Sequence, residues 1–271
     1  MLNYLIALAT IEFVLLIVLA IIILTRPSCD ELLKEQEINF IQLQNEQRDT
    51  IPMLVHELRA PLSVIKGGTE LILHEKDKLS SQQIETLIGQ MKDSSSGLLK
   101  MVNDILDVSK MEAGKFEIEK QDCSINNLLK EECGYYNSLV EIEGLKLKID
   151  LQGDIPQFKC DPDRIKQVLN NLISNAIKFT PEGGNITVVS RRTDGDIIIS
   201  LCDTGIGIPN KDKSKLFHKF VQISSHKDIH EKGTGLGLVI SKAIVEAHGG
   251  KIWVKDNVPK GTCFEFSLPI E

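Results

Sequence analysis

The 271-residue chain has no CxxC pair, no HExxH motif and no GxxxxGK[ST] loop, and each absence removes a class of chemistry. Its six cysteines (Cys29, Cys123, Cys133, Cys160, Cys202, Cys263) are scattered, which fits small buried hydrophobes in a reducing compartment rather than a disulfide or zinc framework. Aromatic residues make up only 5% of the chain, with one Trp, and no Lys/Arg run is interleaved with them. With a formal net charge of -7 and a pI near 5.5, no basic face is available, so nucleic-acid binding is set aside. His226 and His230 have the four-residue spacing of helical metal ligands but no third ligand beside them, so a zinc site is not indicated.

Charge is also scarce at the N-terminus, where residues 4–25 are almost wholly apolar and carry one charged residue, Glu12. Roughly 22 residues at about 1.5 Å each cover a bilayer core, so residues 1–27 are expected to be a transmembrane anchor. MLNY carries no positive charge and the run is longer than a signal-peptide core, which argues against cleavage. Arg26 and Lys34 follow the span and no Lys or Arg precedes it, so the bulk of the chain is expected in the cytoplasm, on a single-pass anchor in the cell inner membrane. Glu12 lies inside the span, where a carboxylate is either paired for a signalling purpose or neutralised and tolerated.

Residues 28–50 are polar helix formers with sparse apolar positions and are read as a helical connector. From residue 51 the apolar spacing sharpens. Ile51, Val55, Leu58, Leu62, Ile65, Thr69 and Ile72 alternate four- and three-residue steps, the seam of a bundle helix. After a cap at Ser80 or Ser81, the same stepping returns through Ile84, Ile88, Met91, Ser95, Leu98, Val102, Ile105 and Ser109. Residues 51–115 are therefore expected to form a helical hairpin, and two such hairpins bury more apolar surface as a dimeric four-helix bundle than either does alone.

Beyond Gly114 the rhythm becomes that of an α+β domain over residues 116–271. Strands are expected at FEIEK, LKIDL, ITVVSRR, IIISLCD, KIWVK and TCFEFSL, with helices starting near Ser124, Asp161 and Gly235. The polar stretch 210–232 exceeds the usual connection length and reads as a functional lid, with Phe217 and Phe220 as its docking pegs.

His56 follows Val55 of the seam, so its imidazole is expected to face solvent beside Glu57. Pro61 removes one backbone donor in the next turn, a cost that predicts a bend there. In DPDRIKQVLNNLISNAIKFT, Ile165, Leu169, Leu172 and Ala176 form a buried face while Asn171, Asn175 and Lys178 align on another. Asn is a poor helix former, so the amides are expected to serve Mg²⁺, and Lys178 to meet phosphate charge. In CDTGIGIP, Asp203 can accept from an exocyclic amine, and Gly205 and Gly207 let backbone approach a flat ring. GTGLGL sets Gly233, Thr234, Gly235, Leu236 and Gly237 at a helix mouth, where free N–H groups favour phosphate.

In this order, VHELRAPL, QVLNNLISNAIKFT, DTGIGIP, LFHKFVQ and GTGLGL resemble the sensor histidine kinases of two-component signalling, from residue 51 to 270. The resemblance implies a histidine-phosphotransfer hairpin followed by a two-layer α/β sandwich of the Bergerat ATP-binding type. It implies a homodimer that takes ATP with Mg²⁺, autophosphorylates on His56, and passes the phosphoryl group to an Asp of a separate response regulator. It assigns Glu57 as the adjacent acid/base, Asn175 as the Mg²⁺ ligand, and Asn171 and Lys178 as phosphate-side contacts. Asp203 becomes the adenine anchor, Gly205, Gly207, Gly233, Gly235 and Gly237 line the nucleotide, and Thr262 lies near adenine. Ala60 stands where many relatives carry Thr or Asn, which argues against a phosphatase activity. Two other expectations compete: a catalytically idle ATP-binding scaffold, and a membrane ATPase of the same nucleotide fold.

Overall fold

The computed structural model describes residue 52 and residues 54–75, 77–222 and 234–270. The predicted membrane span, Glu12, the connector, Gly233, His226 and His230 lie outside the described residues. No helix among the described residues is long and apolar enough to cross a membrane. The chain divides between Glu57 and Leu58 into two compact units.

The hairpin consists of α1 (54–75), which runs through Pro61 without a break, and α2 (Ser81–Glu112). A capping box starts α2: the Gln83 N–H donates to Ser80 Oγ at 3.2 Å, and the Ser80 N–H donates to Gln83 Oε1 at 2.8 Å. Gly68 is buried in α1 because a Cβ there would press within 3 Å of the Met91 side chain, so the missing side chain lets the helices meet. Leu62, Leu73, Ile88, Leu99 and Leu106 are left exposed.

The rest of this unit is built on a sheet. In chain order it contains β1 (Gln121–Cys123), α3 (Ile125–Ile142), β2 (Lys146–Leu151), β3 (Phe158–Cys160), α4 (Pro162–Phe179), β4 (Asn185–Arg192), β5 (Asp196–Asp203), α5 (Asn210–Lys213), α6 (Gly237–Ala247), β6 (Ile252–Asp256) and β7 (Thr262–Pro269). The five-stranded sheet has the order β2-β4-β5-β7-β6, with β2 and β4 parallel and the other neighbours antiparallel. A separate pair, β1 and β3, is antiparallel.

Strand alternation builds the core directly. Ile197, Ile199 and Leu201 of β5 and Phe264, Phe266 and Leu268 of β7 are buried on one face, as are Ile165, Leu169 and Leu172 of α4. This is the second layer of an α/β sandwich, the architecture expected from the sequence. The α4 helix begins where its sequence says it should. Asp161 caps it by accepting from the Arg164 N–H at 3.1 Å, and Pro162 follows at the first helical position. His248 reinforces that cap: its Nε2 accepts the Asp161 N–H at 2.9 Å, and its Nδ1 lies 2.8 Å from the Ile244 carbonyl oxygen.

Three expectations need correction. FEIEK forms no strand; the first strand starts at Gln121, because the Glu119 N–H is taken by the Asp161 carboxylate at 2.9 Å and Phe116 sits 4.9 Å under the Arg164 guanidinium. The cysteines are not all unpaired: Cys123 is bonded to Cys160 and Cys202 to Cys263, while Cys133 is free and buried. Residues 210–222, read as part of a lid, are partly ordered; they hold α5 and bury Leu216 in the core, with Phe217 and Phe220 packed against it.

Candidate functional site

Asp203 ends β5 and is 5% exposed. Its Oδ1 accepts two main-chain N–H groups, from Gly205 at 2.8 Å and from Thr262 at 3.2 Å. Burial pushes the Asp203 carboxyl above its ordinary value, and these two N–H donors pull it part of the way back. With Oδ1 occupied by main chain, Oδ2 is the oxygen left to meet a ligand's donor. Gly205 is required here, since a Cβ would overlap the Phe179 carbonyl oxygen at the end of α4. Gly207 has φ +77, and a Cβ there would lie 3.5 Å from the Gly261 carbonyl oxygen. The DTGIGIP turn is thereby wedged between the end of α4 and the turn joining β6 to β7.

On α4 the polar side chains divide their tasks. Asn171 is buried; its Nδ2 donates to the Gly237 carbonyl at 3.1 Å and lies 3.4 Å from Ser241 Oγ, tying α4 to the first turn of α6. Its amide nitrogen is therefore spent on positioning the helix mouth, beyond the phosphate contact expected of it. Asn175, one turn later, is half-buried, and its amide has no hydrogen-bond partner among the described residues. Lys178 follows, its Nζ 5.6 Å from the Phe179 ring centroid.

At the helix mouth, Thr234 Oγ1 accepts the Leu236 N–H at 3.2 Å, and the Leu236 side chain is fully buried beneath α6. The Gly235 carbonyl accepts the Phe220 N–H at 3.1 Å. The described ends of the segment 223–233 are thus pinned to each other. Two groups result, Asp203 with Gly205 and Thr262, and Asn171 with Gly237, and α4 touches both, through Phe179 and through Asn171.

His56 and Glu57 lie in the other compact unit. The imidazole is 74% exposed and the Glu57 side chain 19%, with Glu57 Oε1 3.8 Å from His56 Nδ1. An exposed ring with a carboxylate beside one nitrogen can present the other nitrogen as a nucleophile.

Sequence reasoning missed two positioning elements. Asn257 Nδ2 donates to the Asp203 carbonyl at 2.7 Å, and Arg164 and Gln167 both reach the α2 carboxylate of Asp107. Neither lies in a glycine-rich or amide-rich motif, so no local pattern marked them.

An α/β sandwich preceded in the chain by a helical hairpin with an exposed histidine has the parts of a phosphoryl-transfer protein. Residues 46–114 match the His Kinase A (phospho-acceptor) domain family, and residues 160–271 match the histidine kinase-, DNA gyrase B-, and HSP90-like ATPase family. The chain is 32% identical over 255 residues to the adaptive-response sensory kinase SasA of Synechococcus sp. (strain JA-2-3B'a(2-13)), a match that covers 90% of this chain and 67% of that protein. It is 35% identical over 248 residues to the non-motile and phage-resistance protein of Caulobacter vibrioides, covering 89% of this chain and spanning 29% of that protein's length. Among solved structures it resembles histidine kinase ThkA in complex with response regulator protein TrrA, with a TM-score of 0.60 and 26% identity over 88% of this chain and 66% of that chain. The chain belongs to the sensor histidine kinases of two-component signalling.

Proposed function

We propose that this protein is a membrane-anchored, homodimeric histidine kinase that transfers the γ-phosphoryl group of ATP to His56 and then to an Asp of a separate response regulator. The observation that carries the reading is the exposed His56 imidazole with Glu57 Oε1 3.8 Å from its Nδ1. Glu57 orients the ring and takes the proton from that side, leaving the other nitrogen to attack in line. Asp203 receives the exocyclic amine of adenine on Oδ2, and the main-chain N–H groups at the start of α6 receive phosphate oxygens. The half-buried, unpartnered amide of Asn175 fits Mg²⁺, which when bound neutralises triphosphate charge. Lys178 meets the same charge from the next turn of α4.

Leu62, Leu73, Leu99 and Leu106, exposed on the hairpin, support its pairing with a second copy into a four-helix bundle. The response-regulator partner rests on family membership and on the regulator held by the ThkA structure. The inner-membrane location with a cytoplasmic kinase rests on the apolar run at residues 4–25.

Incubation with γ-labelled ATP tests the reading. Acid-labile label on the protein that disappears in His56→Gln is the expected result. Free phosphate with no protein label would make the chain an ATPase, and neither product would make it a scaffold.

A further inference from the structure

Asp203 is gripped at both of its polar ends, and the second grip lies outside every glycine-rich motif. While Gly205 and Thr262 hold Oδ1, the side-chain amide of Asn257 donates to the Asp203 carbonyl at 2.7 Å. We infer that Asn257 is a positioning residue for base recognition: it sets the Asp203 carboxylate at the depth where adenine is accepted and guanine is not. The inference rests on the reading of Asp203 as the adenine anchor.

Asn257 is itself fixed, which is what a positioning role needs. It is the first residue after β6, its own N–H donates to the Gly261 carbonyl at 3.1 Å, and this closes the turn into β7. Beside it, Asp256 accepts from Lys213 Nζ at 2.6 Å, so the strand end is tethered to α5, just beyond the DTGIGIP turn. Gly261, with φ +122, brings its α-carbon so close to Asp203 that a Cβ would overlap the carbonyl oxygen. The turn and the strand end therefore touch without a side chain between them, and Asn257 supplies the directional bond.

The selectivity follows from the base edge. Adenine presents an exocyclic N–H to a carboxylate, whereas guanine presents a carbonyl oxygen at the same place, which a carboxylate repels. A rotation of Asp203 therefore weakens ATP and leaves GTP little changed. General loosening of the fold would weaken both.

The test measures binding and kinetics of ATP and GTP with the full chain, for wild type, Asn257→Ala, Asn257→Asp and Asp203→Ala. Asn257→Asp keeps the volume, removes the donor and serves where the alanine variant folds poorly. The expected result is a roughly tenfold rise in the ATP Kd and KM, the loss of about one net hydrogen bond, with kcat at saturating ATP within twofold and GTP affinity unchanged. Wild-type ATP affinity in both Asn257 variants, while Asp203→Ala binds poorly, overturns the positioning role and leaves the adenine anchor standing. Equal losses for ATP and GTP also overturn it, in favour of a purely structural bond. Normal ATP binding by Asp203→Ala would remove the adenine anchor itself, and the inference with it.

Discussion

Arg164 on α4 donates from Nη1 to Asp107 Oδ2 on α2 at 2.8 Å, and Gln167 Nε2 donates to the same oxygen at 2.9 Å. A second contact, from Lys219 Nζ to Glu112 Oε1, joins the segment after α5 to the last residue of α2. These pairs tie the hairpin to the nucleotide-binding sandwich. They differ in weight, because the Asp107 side chain is 10% exposed while Glu112 and Lys219 are largely solvated.

Asp107→Ala should therefore cost about 2 kcal/mol of stability, since it strands two donors that the fold has partly removed from water. Glu112→Ala should cost less than about 0.5 kcal/mol. A double-mutant cycle of Asp107→Ala with Arg164→Ala, read by urea denaturation, should return a coupling of about 1–2 kcal/mol. A coupling near zero would mean that water screens the pair fully.

One turn before Asp107, Asp104 is 4% exposed on the same helix. Burial pushes its carboxyl up to about 6, Asp107 adds repulsion, and Lys100 pulls it back. In the unfolded chain the group titrates near 3.8. Between those values the folded state holds the extra proton, so stability is full below about pH 4 and falls as pH rises through 6. The loss is on the order of 2–3 kcal/mol. Asp104→Asn should be more stable than wild type by that amount at pH 7.5, and the two should converge near pH 4. His248 acts with the opposite sign. Burial pushes its imidazole below the ordinary 6.5, so the stability it contributes is lost as pH falls through the depressed value. Denaturation midpoints against pH for both proteins separate the effects, and an unchanged Asp104→Asn profile would mean that the carboxyl stays ionised when buried.

Two glycines should respond in opposite directions to the same methyl group. Gly134 lies inside α3, exposed, with nothing within 4 Å of an added Cβ, so Gly134→Ala should stabilise the protein by about 0.5–1 kcal/mol. Gly261→Ala meets the Asp203 carbonyl and holds φ +122, so it should lower stability by several kcal/mol or abolish ATP binding. Thermal melting with and without ATP reads both. A neutral Gly261→Ala would show that the turn yields at little cost.

The features legible in the sequence were those written within one turn or one strand. Asp161 and Pro162 announced the start of α4, Ser80 and Gln83 that of α2, and the alternation of β4 and β5 marked their buried faces. The motif residues of the nucleotide site were legible for the same reason, being contiguous. Long-range partners were not. Asn257 reaches Asp203 across 54 residues and Arg164 reaches Asp107 across 57, and no periodicity encodes either. The three-residue strands β1 and β3 are too short to show alternation, while FEIEK alternates well and forms no strand because neighbouring groups take its backbone and its Phe. Pairing of Cys123 with Cys160 and of Cys202 with Cys263 depends on strand order, which spacing alone does not give.

The contact between Phe220 and Gly235 makes the remaining prediction. Phe220 holds φ +61, a left-handed backbone that costs a non-glycine residue about 1–2 kcal/mol, and its N–H donates to the Gly235 carbonyl at 3.1 Å. Gly235 holds φ +68, and a Cβ there would lie 2.8 Å from Phe220 Cα and from its carbonyl carbon. Gly235→Ala must therefore push the two chain segments apart, carrying the start of α6 with them. ATP affinity should fall at least tenfold, measured by calorimetry, while the circular dichroism of the helices is preserved. Because the clash is with main-chain atoms, shortening the side chain does not relieve it: Gly235→Ala combined with Phe220→Ala should bind ATP no better than Gly235→Ala alone. Recovery of affinity in the double variant would mean that the Phe220 ring, and not its backbone, sets the distance between the two segments.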